Sequence, residues 1–161
     1  MDFKFLCIIF FSFLSCNSVE KNKYNEIESS FEGVQLTVER GAFHYDKFIL
    51  NDTIITFYPE EVINSENSTK YNKVSSTQIS KKQRDQFIEE LLAKGILKLK
   101  SKYTTYDSCT SALKVMFTYK DETKIIQCND YTRGCPELLQ YIENEIIRLH
   151  DKNLKRIYLP G

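Results

Sequence analysis

The chain has 161 residues, of which 42% are hydrophobic, and this combination suits one folded domain rather than a disordered chain. Its 22 lysines and arginines balance 22 aspartates and glutamates, so the net charge at neutral pH is zero. Because nucleic-acid binding needs a basic stripe that displaces counterions from phosphates, this balance argues against a nucleic-acid partner.

The first fifteen residues have the pattern of a secretion signal. Lys4 precedes an apolar run from Phe5 to Leu14. At about 1.5 Å per residue this run is too short to cross about 30 Å of hydrocarbon, which favours a signal peptide over a permanent transmembrane helix. The run ends in Phe13-Leu14-Ser15-Cys16, which resembles the lipobox of bacterial lipoproteins.

The lipobox resemblance implies that Cys16 carries a diacylglycerol and that the chain is cut between Ser15 and Cys16. Several acyl chains hold a protein on a membrane, whereas one chain binds only marginally. We therefore expect a signal peptide over residues 1–15, a lipidated cysteine and flexible tether over 16–31, and one domain over 32–161. The location would be a bacterial envelope, facing the periplasm or the cell surface. An ordinary signal peptide with an incidental cysteine is the alternative.

From Gly33 onward the sequence predicts strands. Val34, Leu36 and Val38 alternate with polar residues, which is the pattern of a half-buried strand. Two further strands flank Asn51-Asp52, a dipeptide that suits a two-residue turn because both residue types tolerate left-handed backbone angles. Pairing across this turn places four apolar side chains on one face, which we expect to be the core side: Phe48, Leu50, Ile55 and Phe57.

A loop and a helix follow this hairpin. Residues 64–76 are rich in serine, asparagine and lysine without apolar periodicity, so we expect an exposed loop. Ser80 and Gln83 have the spacing of a capping box, and Gly95 suits a C-terminal cap. The helix between them would bury one stripe of side chains: Phe87, Ile88, Leu91 and Leu92.

The second half has the same order of elements. Leu97 and Leu99 alternate with lysines up to Lys102, which predicts an edge strand rather than a binding patch. A second hairpin is predicted around Asp121-Glu122, and Pro136 suits the first position of a helix. The order strands, helix, strands, helix predicts an α+β fold with two helices packed on one face of an antiparallel sheet. The buried face of the last helix would comprise Leu138, Leu139, Ile142, Ile146 and Leu149.

The five cysteines have different expected fates. Cys7 would leave with the signal peptide, and Cys16 would be lipidated. An odd number then remains in a compartment that permits disulfides, namely Cys109, Cys128 and Cys135.

The register of the second hairpin suggests a pairing among these three. If Lys120 pairs with Thr123, Cys109 lies beside Cys135, and Cys128 lies on the apolar face. We therefore expect a Cys109–Cys135 disulfide and a buried free thiol at Cys128. A register slip, or Cys128 as the partner, is the alternative.

No catalytic or metal-binding constellation is recognisable in the sequence. No zinc-ligand spacing, nucleophile elbow or glycine-rich phosphate loop occurs, and the two histidines, His44 and His150, are far apart. Cys128 with His150 could supply a nucleophile and a base, but the apolar strand favours a core role for Cys128. We therefore expect no catalytic residue, metal or cofactor.

Two short stretches could carry binding or modification. Tyr103 and Tyr106 are candidate interface residues because tyrosine offers amphipathic contact area, and packing at the sheet margin is the alternative. Asp52-Thr53-Ile54 resembles the Asp-Thr-apolar acceptor sequence for O-glycosylation in envelope proteins of the Bacteroidota. That resemblance implies a glycan on Thr53, although a hairpin turn also explains Asp52.

Residues 33–149 also resemble small lipoproteins of the Bacteroidota, through the Val38-Glu39-Arg40-Gly41 strand end and the helix behind Cys135-Pro136. This resemblance implies a compartment and brings no known activity. We expect a non-enzymatic envelope domain that contacts the membrane through lipid on Cys16 and binds a protein partner. The alternatives are an inhibitor or immunity protein against an envelope toxin, and an envelope hydrolase with an unrecognised site.

Overall fold

A computed structural model describes residues 31–41, 46–59, 70–104, 112–129 and 134–154, all within the compact unit Phe31–Gly161. These residues form seven strands and two helices. In chain order they are β1 (Gln35–Gly41), β2 (Asp46–Asn51), β3 (Ile54–Tyr58), β4 (Ser75–Gln78), α1 (Lys81–Ala93), β5 (Lys102–Tyr103), β6 (Ala112–Tyr119), β7 (Glu122–Cys128) and α2 (Glu137–His150).

All seven strands join one sheet in the order β4-β3-β2-β1-β6-β7-β5. Every neighbouring pair is antiparallel except β5 and β7, which run parallel. The sheet is therefore mostly antiparallel and is accompanied by two helices, which confirms the α+β class. No helix in the described ranges is long and apolar enough to cross a membrane.

The first three strands bury the side chains that their alternation predicts. Leu36 pairs with Leu50 and Val38 pairs with Phe48, and all four are buried. Ile55 and Phe57 of β3 continue the same two rows across the sheet. The turn between β2 and β3 lies one residue later than predicted, because Asn51 still pairs with Ile54 and Asp52 takes the left-handed angle (φ 51°).

The hairpin of β6 and β7 turns one residue earlier than predicted. Lys120 and Asp121 form the turn, with φ of 50° and 62°, and Tyr119 pairs with Glu122. Two successive left-handed residues give the backbone twist that a tight hairpin requires. The apolar face is unchanged by this shift, but Cys128 now pairs with Leu113.

The predicted disulfide is wrong. Cys135 is bonded to Cys128, with a Cα–Cα distance of 5.5 Å, and not to Cys109. Cys128 ends β7 and Cys135 lies two residues before α2, so the disulfide closes the short connection between them. Cys128 is therefore buried but is not a free thiol. Cys109 lies outside the described residues.

Helix α1 begins and ends as its capping signals predict. The Ser80 hydroxyl accepts from the Gln83 backbone N–H at 3.2 Å, and the Gln83 side chain accepts from the Ser80 backbone N–H at 3.0 Å. Gly95 follows the helix with φ 81°, a conformation that costs glycine little. Three of the four predicted stripe residues are buried, Leu92 is half-buried, and Arg84 is buried in addition.

Helix α2 starts one residue later than predicted, because Pro136 is its N-cap and Glu137 its first residue. Four of its five predicted core residues are buried, and Leu138 is half-buried. Glu143 and His150 are also fully buried. Buried side chains from both helices belong to the same hydrophobic core as the buried face of the sheet.

Two predicted segments differ from the structure. Residues Ile96–Lys98 form a 3₁₀ turn rather than a strand, because only Ile96 enters the core while Leu97 is 43% exposed. The edge strand is reduced to Lys102–Tyr103. In addition, the end of the predicted 64–76 loop belongs to the polar strand β4, which lacks the apolar alternation that would reveal a strand.

Candidate binding face of the sheet

The sheet has two different faces. The inner face carries the core residues of the strands, and the outer face carries the side chains that alternate with them. One row of the outer face crosses six strands, from β3 through β2, β1, β6 and β7 to β5. The register places its members side by side, and we call them the charged row: Tyr58, Lys47, Glu39, Lys114, Gln127 and Lys102.

Two ordered contacts lie within the charged row. The Lys114 Nζ lies 3.0 Å from the Glu39 Oε2, and both side chains are about one-third exposed. The Lys47 Nζ lies 5.4 Å from the centre of the Tyr58 ring, within the range of a cation–π contact. Lys102 and Gln127 are exposed neighbours at the β5 end. The row holds three lysines and one glutamate, which makes it locally cationic in a chain of zero net charge.

A groove of about 340 Å³ runs beside the β1, β6, β7 and β5 part of the charged row. Its lining includes Glu39, Lys114 and Lys102, together with Gly41 and Ala112, which pair with each other on neighbouring strands. Glycine and alanine fill little space above the sheet, so the outer face is recessed where they pair. A volume of this size lies within the range of ligand-binding clefts.

Tyr103 is among the residues that line this groove and is packed against the core. Its hydroxyl accepts from the backbone N–H of Lys100 at 3.0 Å, and its backbone pairs with Cys128. Tyr103 is thus packed at the sheet margin, and its role as an interface residue stays a prediction. Tyr106, the second candidate interface residue, lies outside the described residues.

Buried and half-buried charged residues elsewhere hold elements together. The Arg40 Nε donates to the Asp46 Oδ1 at 2.7 Å and lies 3.5 Å from the Glu143 Oε1. These three groups connect β1, β2 and α2, and Glu143 is fully buried. Their geometry is that of a structural ion cluster, because each charge faces an opposite one.

The buried guanidinium of Arg84 fixes the turn between β2 and β3 to α1. The Arg84 Nη1 donates to the Asp52 Oδ1 at 2.6 Å, and its Nε donates to the Asp85 Oδ1 at 2.7 Å. Asp52 thus has a structural role at this turn. The Thr53 hydroxyl accepts a hydrogen bond from the Gln78 side chain and donates one to the Asp52 Oδ2 at 3.4 Å. The glycan on Thr53 stays a prediction.

His150 is fully buried at the end of α2. Its Nε2 donates to the Ser75 carbonyl at 3.1 Å, and its ring meets those of Phe48 and Phe57 edge-on. Among the described residues, its Nδ1 has no hydrogen-bond partner. Burial lowers the pKa of His150, and the positive charge of Lys152 lowers it further, against the hydrogen bond to Ser75.

Tyr141 connects the two helices. Its hydroxyl donates to the Glu90 carboxylate, and the Lys94 Nζ lies 5.1 Å from the centre of its ring. Burial and this hydrogen bond raise the pKa of Tyr141, so its hydroxyl stays protonated at neutral pH. Glu90 lies on α1, Lys94 caps the C-terminus of α1, and Tyr141 lies on α2, so these contacts join the two helices.

The nucleophile and base considered from the sequence do not meet. Cys128 is in a disulfide on β7, so it offers no thiolate. His150 contacts β4, β3 and β2, which are at the opposite end of the strand order from β7. In the described part of the chain, no group of three His, Cys, Asp or Glu residues could hold a metal ion.

The charged row is the feature that the sequence analysis missed. The sequence pattern places Lys102 on a predicted edge strand and Glu39 at a strand end, with nothing to align the two. The lysines lie in three separate strands, and their alignment depends on pairings across the whole sheet. Comparison with known proteins gives no matching family model and no matching curated protein.

Proposed function

We propose that this chain is a lipid-anchored protein of a bacterial envelope whose α+β domain binds another protein without catalysing a reaction. The lipobox resemblance at Cys16 supports the anchor, and the polar residues that follow support a tether. The observation that carries the binding role is the open outer face of the sheet, with its charged row and groove.

We infer further that both helices cover the inner face, which leaves the outer face for a partner. Buried side chains of α1 and α2 share one core with the inner-face residues, which supports this arrangement. Exposed apolar side chains support the use of the outer face by a partner, since Ile54 and Ile125 on that face are 46% and 44% exposed. Such residues become favourable contacts when a partner covers them.

The arrangement of buried charges also supports a binding role. The charges in the interior form ion pairs between different elements and so stabilise the fold, as Arg40 does with Glu143 and Arg84 with Asp52. The exposed lysine of β5 lies instead at the groove, on a short edge strand. The residues available for recognition are therefore on the surface of a rigid sheet, where binding sites keep a fixed geometry.

The anchor is tested by cell fractionation of Cys16→Ala against the natural chain. We expect the natural chain in the membrane fraction and the variant released from it, because the acyl chains provide the membrane affinity. Cys7→Ala is the matched control and should stay in the membrane fraction. Unchanged fractionation of Cys16→Ala would contradict the lipid anchor.

The binding role is tested by affinity capture with the full chain from detergent-solubilised envelopes. We expect one partner at a fixed stoichiometry. The same capture is made with Ile125→Glu, which places a charge on the outer face at β7, and with Glu89→Gln on the exposed surface of α1 as the control. Loss of the partner with the first variant alone supports the outer face. Failure to recover any stoichiometric partner contradicts the binding role.

A further inference from the structure

We propose that the charged row binds an extended acidic segment of a partner protein, in which carboxylates recur at every third residue of a polyproline II conformation. This inference rests on the proposed binding function and names the chemistry of the partner. Three observations on the outer face carry it: the spacing of the lysines, the excess of positive charge, and the recess beside them.

The spacing of the lysines is regular. Lys47, Lys114 and Lys102 occupy every second strand of the row, with Glu39 and Gln127 between them. Neighbouring strands lie about 4.8 Å apart, so successive lysines have backbone positions about 9.6 Å apart across the sheet. A polyproline II segment rises about 3.1 Å per residue with three residues per turn, so side chains on one of its edges recur about every 9.3 Å.

The charges along the row favour discrete carboxylates. Lys102 is exposed at the edge of the sheet, and Gln127 beside it offers an amide N–H donor. Lys114 forms an ion pair with Glu39, with its Nζ 3.0 Å from the Glu39 Oε2. A ligand carboxylate would therefore approach Lys114 from the Gln127 side. Lysines alternate in this row with side chains that carry no positive charge. This alternation matches a ligand whose carboxylates are separated by uncharged residues.

The recess gives room for the ligand backbone. Gly41 and Ala112 pair beside Glu39 and Lys114, in the groove of about 340 Å³. Polyproline II segments have no internal hydrogen bonds and lose little conformational entropy on binding, and they dock in shallow grooves lined by aromatic residues. Tyr58 supplies an aromatic ring at the β3 end of the charged row.

A protein segment fits these observations better than an anionic membrane surface does. A membrane presents a continuous sheet of phosphates, and Glu39 in the middle of the row would repel it. A peptide with carboxylates at every third residue places neutral residues opposite Glu39. The membrane is therefore an alternative outcome that the experiment separates.

The experiment measures binding of fluorescein-labelled peptides to the full chain in detergent micelles by fluorescence anisotropy. The probe has four Glu-Pro-Pro repeats. The comparison peptides are four Gln-Pro-Pro repeats and a peptide of the same composition as the probe with its four glutamates contiguous. We expect saturable binding of the probe that weakens with added salt, no binding of the glutamine peptide, and weaker binding of the contiguous peptide.

Variants of one lysine locate the site. Lys102→Glu is expected to weaken binding of the probe about fivefold and Lys102→Gln about twofold, because one exposed attraction is reversed or removed. Both variants should keep the thermal unfolding midpoint, since Lys102 is exposed at the sheet edge. Lys82→Glu makes the same charge change on the exposed surface of α1 and should leave binding unchanged.

Several results would overturn the inference. Absence of saturable binding of the probe would contradict an acidic ligand. Equal binding of the probe and the contiguous peptide would contradict the three-residue spacing of its carboxylates. Binding to phosphatidylglycerol vesicles that is lost in Lys102→Glu, without binding of the probe, assigns the row to a membrane surface. If the partner captured from envelopes binds Lys102→Glu as well as it binds the natural chain, the binding function stands and the charged row is not its site.

Discussion

The inner and outer faces of the sheet differ although the same strands build both. On the inner face, one row runs through Phe57, Phe48, Val38, Val115 and Ile126, and each side chain is at most 2% exposed. One residue further along the same strands, the outer face carries Thr56, Ile49, Thr37, Met116 and Ile125, none of them buried. The difference separates stability from recognition, because substitutions on the outer face leave the core intact.

Truncation on the inner face has the largest expected effect on stability. Phe48 is 1% exposed, and its ring lies 5.0 Å from that of Phe57 and 5.6 Å from that of His150, measured between centres. Phe48→Ala removes these contacts and leaves a cavity, so we expect a loss of about 3 to 5 kcal/mol in the free energy of unfolding. Urea unfolding measures it. A loss below about 1 kcal/mol would mean that this side chain is not enclosed by the core.

The disulfide has the next largest expected effect. It joins the end of β7 on the inner face to the segment just before α2, across a sequence separation of 7 residues. The double variant Cys128→Ala with Cys135→Ala should lower the free energy of unfolding by about 2 kcal/mol, because a short loop restricts the unfolded chain less than a long one. Peptide mapping under non-reducing conditions checks the pairing. A crosslinked peptide that contains Cys109 and Cys135 would contradict it.

His150 makes the inner face sensitive to acid. Its pKa is lowered from the ordinary value of 6.5, so an unfolded chain takes up a proton there at a higher pH than the folded chain does. The stability from neutral His150 is therefore fully present above about pH 6.5 and is lost as the pH falls from there toward the folded pKa. Ser75 of β4 and the two phenylalanine rings face the imidazole, Thr77 donates to the backbone carbonyl of His150, and Lys152 is the charge that lowers the pKa.

Thermal unfolding between pH 7 and pH 5 measures this dependence. The natural chain should lose stability over this interval more steeply than His150→Asn, which cannot be protonated there. The comparison removes the contribution of other groups, His44 included, because both chains share them. Parallel curves for the two chains would contradict a buried, neutral His150.

The inner face could be predicted from the sequence because a strand repeats every two residues. The alternation in β1, β2, β3, β6 and β7 identified the core residues, and the Ser80–Gln83 capping box placed α1. Local patterns of this kind depend on a few neighbouring residues and need no knowledge of the other strands.

Features that depend on pairing between distant segments could not be predicted. The Cys128–Cys135 disulfide was missed because the hairpin turns at Lys120 and Asp121 rather than one residue later. Strand β4 was missed because its serine, threonine and glutamine residues carry no apolar signal. The charged row depends on the register of five strand pairs, which polar alternation leaves open.

Substitution of an exposed residue on the outer face has the smallest expected effect on stability and gives the sharpest contrast with Phe48. Ile125 pairs with Met116 and is 44% exposed, and it lies on the strand that holds Gln127 of the charged row. Ile125→Thr keeps a β-branched side chain, so strand propensity is retained, and little buried area is lost. We expect a change within about 0.5 kcal/mol in the free energy of unfolding, measured by urea unfolding beside Phe48→Ala. A loss above about 2 kcal/mol would mean that the outer face is covered by the chain itself, and a partner would then have to bind elsewhere.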